Sequence, residues 1–207
     1  FVRSMQKNEN GEKNFGPWRV GLHMKGRFYE VTEIDECHLF RPWIGEFIKK
    51  IRVYFEELKL IEDTELISII VRCGTNTGEV MVNLQVQNGE VDFAESFRKL
   101  VEDFFAVSES GKLGDDRLIS LYLTHIINKK GQPKQFLEKL LSGKETFTEK
   151  LKLEGANELS FEVAPQAFLQ PNTKQAEVFY SLVRKLAGKS GKKKIFDLFC
   201  GTGTIGI

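Results

Sequence analysis

An α+β domain with a mostly antiparallel sheet, followed by the start of a doubly wound α/β (Rossmann-like) unit, is the fold that the sequence predicts. Three observations predict it. Between Arg19 and Val163 strand-like and helix-like periods alternate, with turn signals that suit hairpins. At Asn172 a capped amphipathic segment opens. A short apolar run, Ile195 to Cys200, then enters a glycine-rich turn, as a parallel strand buried on both faces would.

Residues 1–18 are polar and irregular and predict a mobile loop. Phe1 carries no initiator methionine before it, which reads as the start of a fragment. From Arg19, RVGLHMKG and RFYEVTEI predict paired strands turning near Gly26. Pro42 suits the first turn of a helix, and Trp43, Ile44, Phe47, Ile48, Ile51, Phe55 and Leu58 recur on one helical face. Strands over Glu65–Cys73 and Glu79–Gln87 flank the hairpin loop Gly74–Gly78. A second helix is predicted from Val91 to Phe105, with Phe93, Phe97, Leu100, Val101 and Phe104 inward. Arg117 to Asn128 reads as a strand, Lys129 to Pro133 as a turn, and Glu145–Leu153 with Glu158–Val163 as a final antiparallel pair. A domain boundary near Val163 to Pro165 separates 1–163 from 164–207. Beyond it Asn172 and Gln175 form a capping box, Ala176, Phe179, Leu182, Val183 and Leu186 make an apolar face, and Gly188 supplies the stop.

Composition narrows the class. With 41% hydrophobic residues and seventeen phenylalanines among 207, the chain builds globular cores and is not disordered. A net charge of +1 argues neither for nor against nucleic acid. No apolar stretch reaches the ~18 residues of a membrane span and no signal peptide opens the chain, so a cytoplasmic protein is the default expectation; a monomer is expected separately. The three cysteines, Cys37, Cys73 and Cys200, lie far apart and make neither a zinc pattern nor a disulfide framework. The lysine run at 192–194 is read as a solvated connection, with contact to RNA phosphates the other reading.

Gly201, Gly203 and Gly206 satisfy G-x-G-x-x-G. A dinucleotide site keeps its acidic residue about twenty positions further on. Here Asp197 stands just before the glycines, where a pyrophosphate would be repelled. S-adenosylmethionine (SAM) has no phosphate and carries a cationic sulfonium and a cationic amine, so the carboxylate favours it. A dinucleotide and a bare tight turn are the other readings of the loop.

Two stretches, FEVAPQAFLQPNTKQAEVFY (161–180) and DLFCGTGTIGI (197–207), resemble one family closely, the SAM-dependent RNA 5-methyluridine methyltransferases. A third likeness is GLHMKGRFYEVTEIDECHLF (21–40), with its G-R-F and I-D-x-C runs. The family acts on tRNA or ribosomal RNA. The resemblance implies that Gln170 and Phe199 contact SAM; from the loop's own chemistry Asp197, Gly201, Gly203 and Thr204 are further cofactor candidates. An amide can bond the methionine end, and a phenylalanine gives the adenosyl part a flat apolar wall. Phe168 becomes a candidate base-stacking surface in RNA, and Leu169 stands where an aromatic is more usual. Some members hold an iron–sulfur cluster through three upstream cysteines and the one in I-D-x-C. Only that last one, Cys37, exists here, so an unliganded thiol is expected in this chain, with an iron–sulfur cluster in the parent protein the other reading, its upstream cysteines lying before Phe1.

The resemblance also implies a reaction. A cysteine thiolate adds to uracil C6, C5 takes the methyl group, and a carboxylate base removes the C5 proton. The nucleophile and base would follow Ile207. This chain is therefore expected to hold no catalytic residue, to bind SAM poorly and to be inactive alone. Two further readings are a non-catalytic RNA-binding or scaffold domain with a vestigial α/β tail, and a methyltransferase for another substrate. Against the scaffold, residues 19–160 display no aromatic-basic RNA-binding motif.

Overall fold

In the computed structural model the described residues are 2–7, 13–58, 65–87, 92–106, 113–188, 194, 196–198 and 200. At their centre lies a four-stranded sheet. Its strands, in chain order, are β5 (Glu65–Cys73), β6 (Glu79–Gln87), β7 (Arg117–Ile127) and β8 (Gln135–Gly143), and they also stand in that spatial order. Ahead of them run β1 (Val2–Lys7), β2 (Lys13–Arg19), β3 (Gly21–Met24), β4 (Arg27–Glu33) and helix α1 (Ile44–Glu57). Helix α2 (Ala94–Ala106) joins β6 to β7. After β8 come β9 (Phe147–Leu151), β10 (Leu159–Val163) and α3 (Thr173–Gly188).

The β5–β6 and β7–β8 pairs are antiparallel, whereas β6 and β7 are parallel. A parallel neighbour requires a crossover, and α2 supplies it. The fold is thus mixed α/β with a mostly antiparallel sheet. Both helices lie on one face, because their apolar stripes meet the same side of β6. Val80, Val82, Leu84 and Val86 alternate toward Phe47, Ile51 and Phe55 of α1 and Phe97 and Val101 of α2. Trp43 is 1% exposed and packs edge-on against Phe40, Phe47 and Phe105 at centroid distances of 5.8, 6.1 and 5.2 Å. Truncating Trp43 or Phe47, the two fully buried rings of this group, costs about 3–5 kcal/mol. The first turn of α1 comes so close to the preceding loop that a Cβ on Gly45 would stand 2.1 Å from the Asp35 carbonyl oxygen.

Several expectations need correction. Residues 1–18 carry the antiparallel β1–β2 pair instead of an irregular loop. Ladder hydrogen bonds come from backbone groups, so a polar composition does not forbid them. The register of this pair skips beside Gly16 and Pro17, and a bulge is where a strand tolerates proline. Pro42 lies in the turn before α1, whose N-cap is Trp43. Sequence predicts no element for 135–143, since QFLEKLL is rich in helix formers, yet pairing with β7 makes it a strand. On α3, Ala176 is buried as expected, but Phe179, Leu182 and Leu186 are exposed and Tyr180 is buried in their place. The described residues of the 195–200 strand, Phe196 to Leu198 and Cys200, have no strand conformation. Phe196 and Leu198 are 81% and 77% exposed, and a parallel strand exists only when a neighbour pairs with it.

Candidate cofactor site

The segment leaving β10 is fixed before it reaches Gln170. The Arg72 guanidinium donates to the carbonyl oxygens of Ala164 and Pro165 at 3.0 and 3.2 Å, and stacks over the Phe147 ring at 5.5 Å. Burial holds this guanidinium below its ordinary pKa. The chain then turns through an Ala167 N–H bond to the Ala164 carbonyl. Beyond it the side chains alternate. Ala167 and Leu169 pack on the cluster of Met81, Tyr122, Phe147 and Val163. Phe168, 64% exposed, and Gln170 point away from it. Two candidate residues are thereby brought to one outward side, and Leu169 serves packing.

The N-terminus of α3 is capped and then clasped. Asn172 Oδ1 accepts the Gln175 N–H at 3.1 Å, the capping bond that the sequence predicts. Thr173, the first helical residue, donates its hydroxyl to Glu149 Oε2 at 2.8 Å. Glu149, on β9, is 1% exposed. Its Oε2 also accepts the Thr75 N–H at 2.8 Å, and its Oε1 accepts the Asn76 and Lys150 N–H groups at 3.1 and 2.9 Å. A buried carboxylate without a paired cation is tolerable when donors saturate both oxygens. Around it, Thr77 donates to the Thr148 carbonyl at 2.6 Å, and Asn76 Nδ2 to Glu177 Oε1 at 2.9 Å. Desolvation pushes the Glu177 carboxyl up. Bonds from the Lys152 amide and Asn76, with the Lys174 ammonium nearby, outweigh that and hold it below the usual range.

This clasp joins the β5–β6 loop, β9 and α3, and sequence reasoning missed it. One signal was available. In Phe147–Leu151 the alternation buries Phe147, Glu149 and Leu151, so a charged residue occupies an inward position.

Of the loop candidates, Phe199, Gly201, Gly203 and Thr204 lie outside the described residues. Asp197 is described, and its Oδ2 is buried with no hydrogen-bond partner. An orphaned buried carboxylate oxygen suits a site that receives a cationic group. Cys37 lines an apolar cleft of about 400 Å³ between α1, β3 and β5, with Phe40, Ile44 and Ile48. Neither Cys37 nor Cys73 is in a disulfide, and no cluster of metal-ligating side chains forms among the described residues. Toward the iron–sulfur ligand set that the resemblance implies, the described residues supply Cys37 alone. No described helix is long and apolar enough to cross a membrane.

No protein-family model matches the chain. It is 35% identical over 204 residues to an uncharacterized RNA methyltransferase of Protochlamydia amoebophila, covering 91% of the chain and 45% of that protein. An uncharacterized RNA methyltransferase of Clostridium tetani is 32% identical over 94% of the chain and 41% of its own length. The chain thus spans less than half the length of these relatives. Among solved structures, the fold resembles the Pyrococcus abyssi tRNA (uracil-54, C5)-methyltransferase in complex with S-adenosyl-L-homocysteine. The TM-score is 0.56 at 24% identity, covering 93% of the chain and 42% of that one. Similarity to proteins named RNA methyltransferases therefore extends over more than nine-tenths of the chain.

Proposed function

We propose that the chain belongs to an enzyme that moves a methyl group from S-adenosylmethionine to C5 of a uridine in tRNA or ribosomal RNA. The observation that carries this reading is the outward pair Phe168 and Gln170 on a segment that matches the family motif, within a chain whose relatives are named RNA methyltransferases. The cofactor, when bound, supplies an electrophilic methyl group on a positive sulfonium. Residues of this chain would hold it. Gln170 offers both a donor and an acceptor to its amino-acid end. Asp197 brings negative charge to its cationic groups and fills the vacant valence of its own Oδ2. Phe199 would wall the adenosyl portion, with the Gly201, Gly203 and Thr204 backbone closing around it. Phe168 would stack a base of the RNA.

The division read from sequence fits this assignment. Residues 1–163 form a central domain, and 164–207 open a doubly wound methyltransferase domain whose cofactor loop follows α3. The setting is cytoplasmic, the protein a monomer and the partner RNA.

The test, run on the enzyme to which the chain belongs because the chain alone is expected to be inactive, is calorimetric titration with S-adenosylhomocysteine, followed by nucleoside analysis of RNA treated with labelled SAM. Gln170→Ala and Asp197→Asn should each weaken S-adenosylhomocysteine binding by about tenfold, the effect of one lost charge-assisted hydrogen bond. Label recovered in 5-methyluridine supports the assignment. Label in any other nucleoside, or unchanged affinity in both variants, refutes it.

A further inference from the structure

The face of the sheet opposite α1 and α2 continues past the candidate site. On it Tyr122, Thr124 and Ile126 of β7 stand beside Leu140, Glu138 and Phe136 of β8. Tyr122 belongs to the apolar cluster that seats Ala167 and Leu169. Tyr122, Thr124 and Ile126 are buried, but their partners Leu140, Glu138 and Phe136 form an exposed row along β8 that leads from beside the Tyr122 cluster toward the tip of the β7–β8 hairpin. From Leu140 to Phe136 it covers about 14 Å at ~3.4 Å per residue, with the turn beyond.

That tip is basic and bare. Asn128 to Leu140 are exposed without interruption, and they include Lys129, Lys130, Lys134 and Lys139 against the acidic Glu138. None of these lysines forms an ion pair among the described residues. The turn is closed by the Gln132 N–H donating to the Lys129 carbonyl at 3.0 Å, with Gly131 at φ 78°. Beside the lysines, Phe136 is 42% and Leu137 57% exposed. Lysines and ring lie within the eight consecutive residues 129–136, an aromatic-basic combination that the sequence reading passed over and that the hairpin turn displays.

We propose that the β7–β8 hairpin is an RNA-binding arm. Lys129, Lys130 and Lys134 contact phosphates and Phe136 offers a ring to a base, while the target stretch of the same RNA lies at Phe168. The proposal rests on the RNA reading above. Unpaired lysines on a projecting turn suit a polyanion, and an adjacent ring adds stacking that tolerates any base. Lysines on an edge strand also deter edge-to-edge pairing. A charge of either sign would do that, so charge reversal separates the two roles.

The experiment is fluorescence anisotropy with a labelled unmodified tRNA transcript and a labelled single-stranded RNA. It compares the wild type, the triple variant Lys129→Glu/Lys130→Glu/Lys134→Glu, and a control of equal charge change, Lys25→Glu/Lys49→Glu/Lys99→Glu. All six positions are exposed, so both variants should keep the wild-type circular dichroism. The hairpin variant should bind at least about tenfold more weakly than the control. Its slope of log affinity against log salt on single-stranded RNA should fall by about 2, at ~0.7 per lost phosphate contact. Phe136→Ala should weaken binding by about fivefold or more. If the wild type binds and the hairpin variant matches the control, the arm is refuted and the RNA reading stands. If the wild type binds neither RNA, both are refuted.

Discussion

Replacing Glu149 by glutamine should destabilise the protein although the side chains are isosteric. Both carboxylate oxygens accept two donors each: Thr75 N–H and the Thr173 hydroxyl on Oε2, Asn76 and Lys150 N–H on Oε1. A glutamine has one acceptor oxygen, so its amide NH2 must take one of these places. The cheaper choice is the Oε2 place, where the Thr173 hydroxyl can rotate and accept. The Thr75 N–H then faces another donor in a site that is 1% exposed. An orphaned buried N–H costs about 1–3 kcal/mol, and the bonds that remain lose their charge assistance. The expected loss is about 2–4 kcal/mol, read as a lower urea midpoint at unchanged m. Amide exchange at Thr75 and Asn76 should quicken with it. A Glu149→Gln variant within about 0.5 kcal/mol of wild type would mean that desolvating the carboxylate already cancels its four bonds, and would refute the clasp as a stabilising element.

Two more expectations follow from the same contacts. Asn172→Ala removes the cap on α3 and should cost about 1 kcal/mol in chemical denaturation, whereas Asn172→Asp keeps an acceptor there and should cost less. Burial raises the Cys73 thiol from 9.0 to about 11, with the Arg41 hydrogen bond offsetting part of the shift. The native state then holds that proton more tightly than the unfolded chain. The contribution is complete below pH 9 and is lost as pH rises toward about 11. Urea midpoints measured across that window should fall less steeply for Cys73→Ala than for wild type.

What the sequence discloses depends on whether a residue's fate is settled locally. The β5–β6 hairpin, α1 and α2 are legible because turn residues and apolar periods lie within the elements themselves. The β8 strand is not, since its helix-forming composition is overridden by β7. Nor is the parallel partnership of β6 and β7, because a strand's pattern names its buried faces and not its neighbour. On α3 the period groups Phe179, Leu182 and Leu186 correctly on one side, but a period cannot say that the side is covered. At the candidate site, Gln170 and Asp197 are proposed from motif residues. Glu149 acts through Thr75 and Asn76, distant in sequence, and only its misplaced charge betrays it.

The parallel join between β6 and β7 also governs the order in which the molecule can assemble. The β5–β6 hairpin closes a loop of a few residues and forms on the microsecond scale. The β6–β7 ladder must first gather the roughly thirty residues between Gln87 and Arg117 and hold α2 against the hairpin. That loop entropy is surrendered before any bond of the ladder repays it, so this crossover is the natural bottleneck of folding. Until it closes, β6, whose side chains are the most thoroughly buried of any strand in the sheet, keeps one edge open. The interval before α2 docks is thus when a nascent chain is most exposed to pairing with its neighbours.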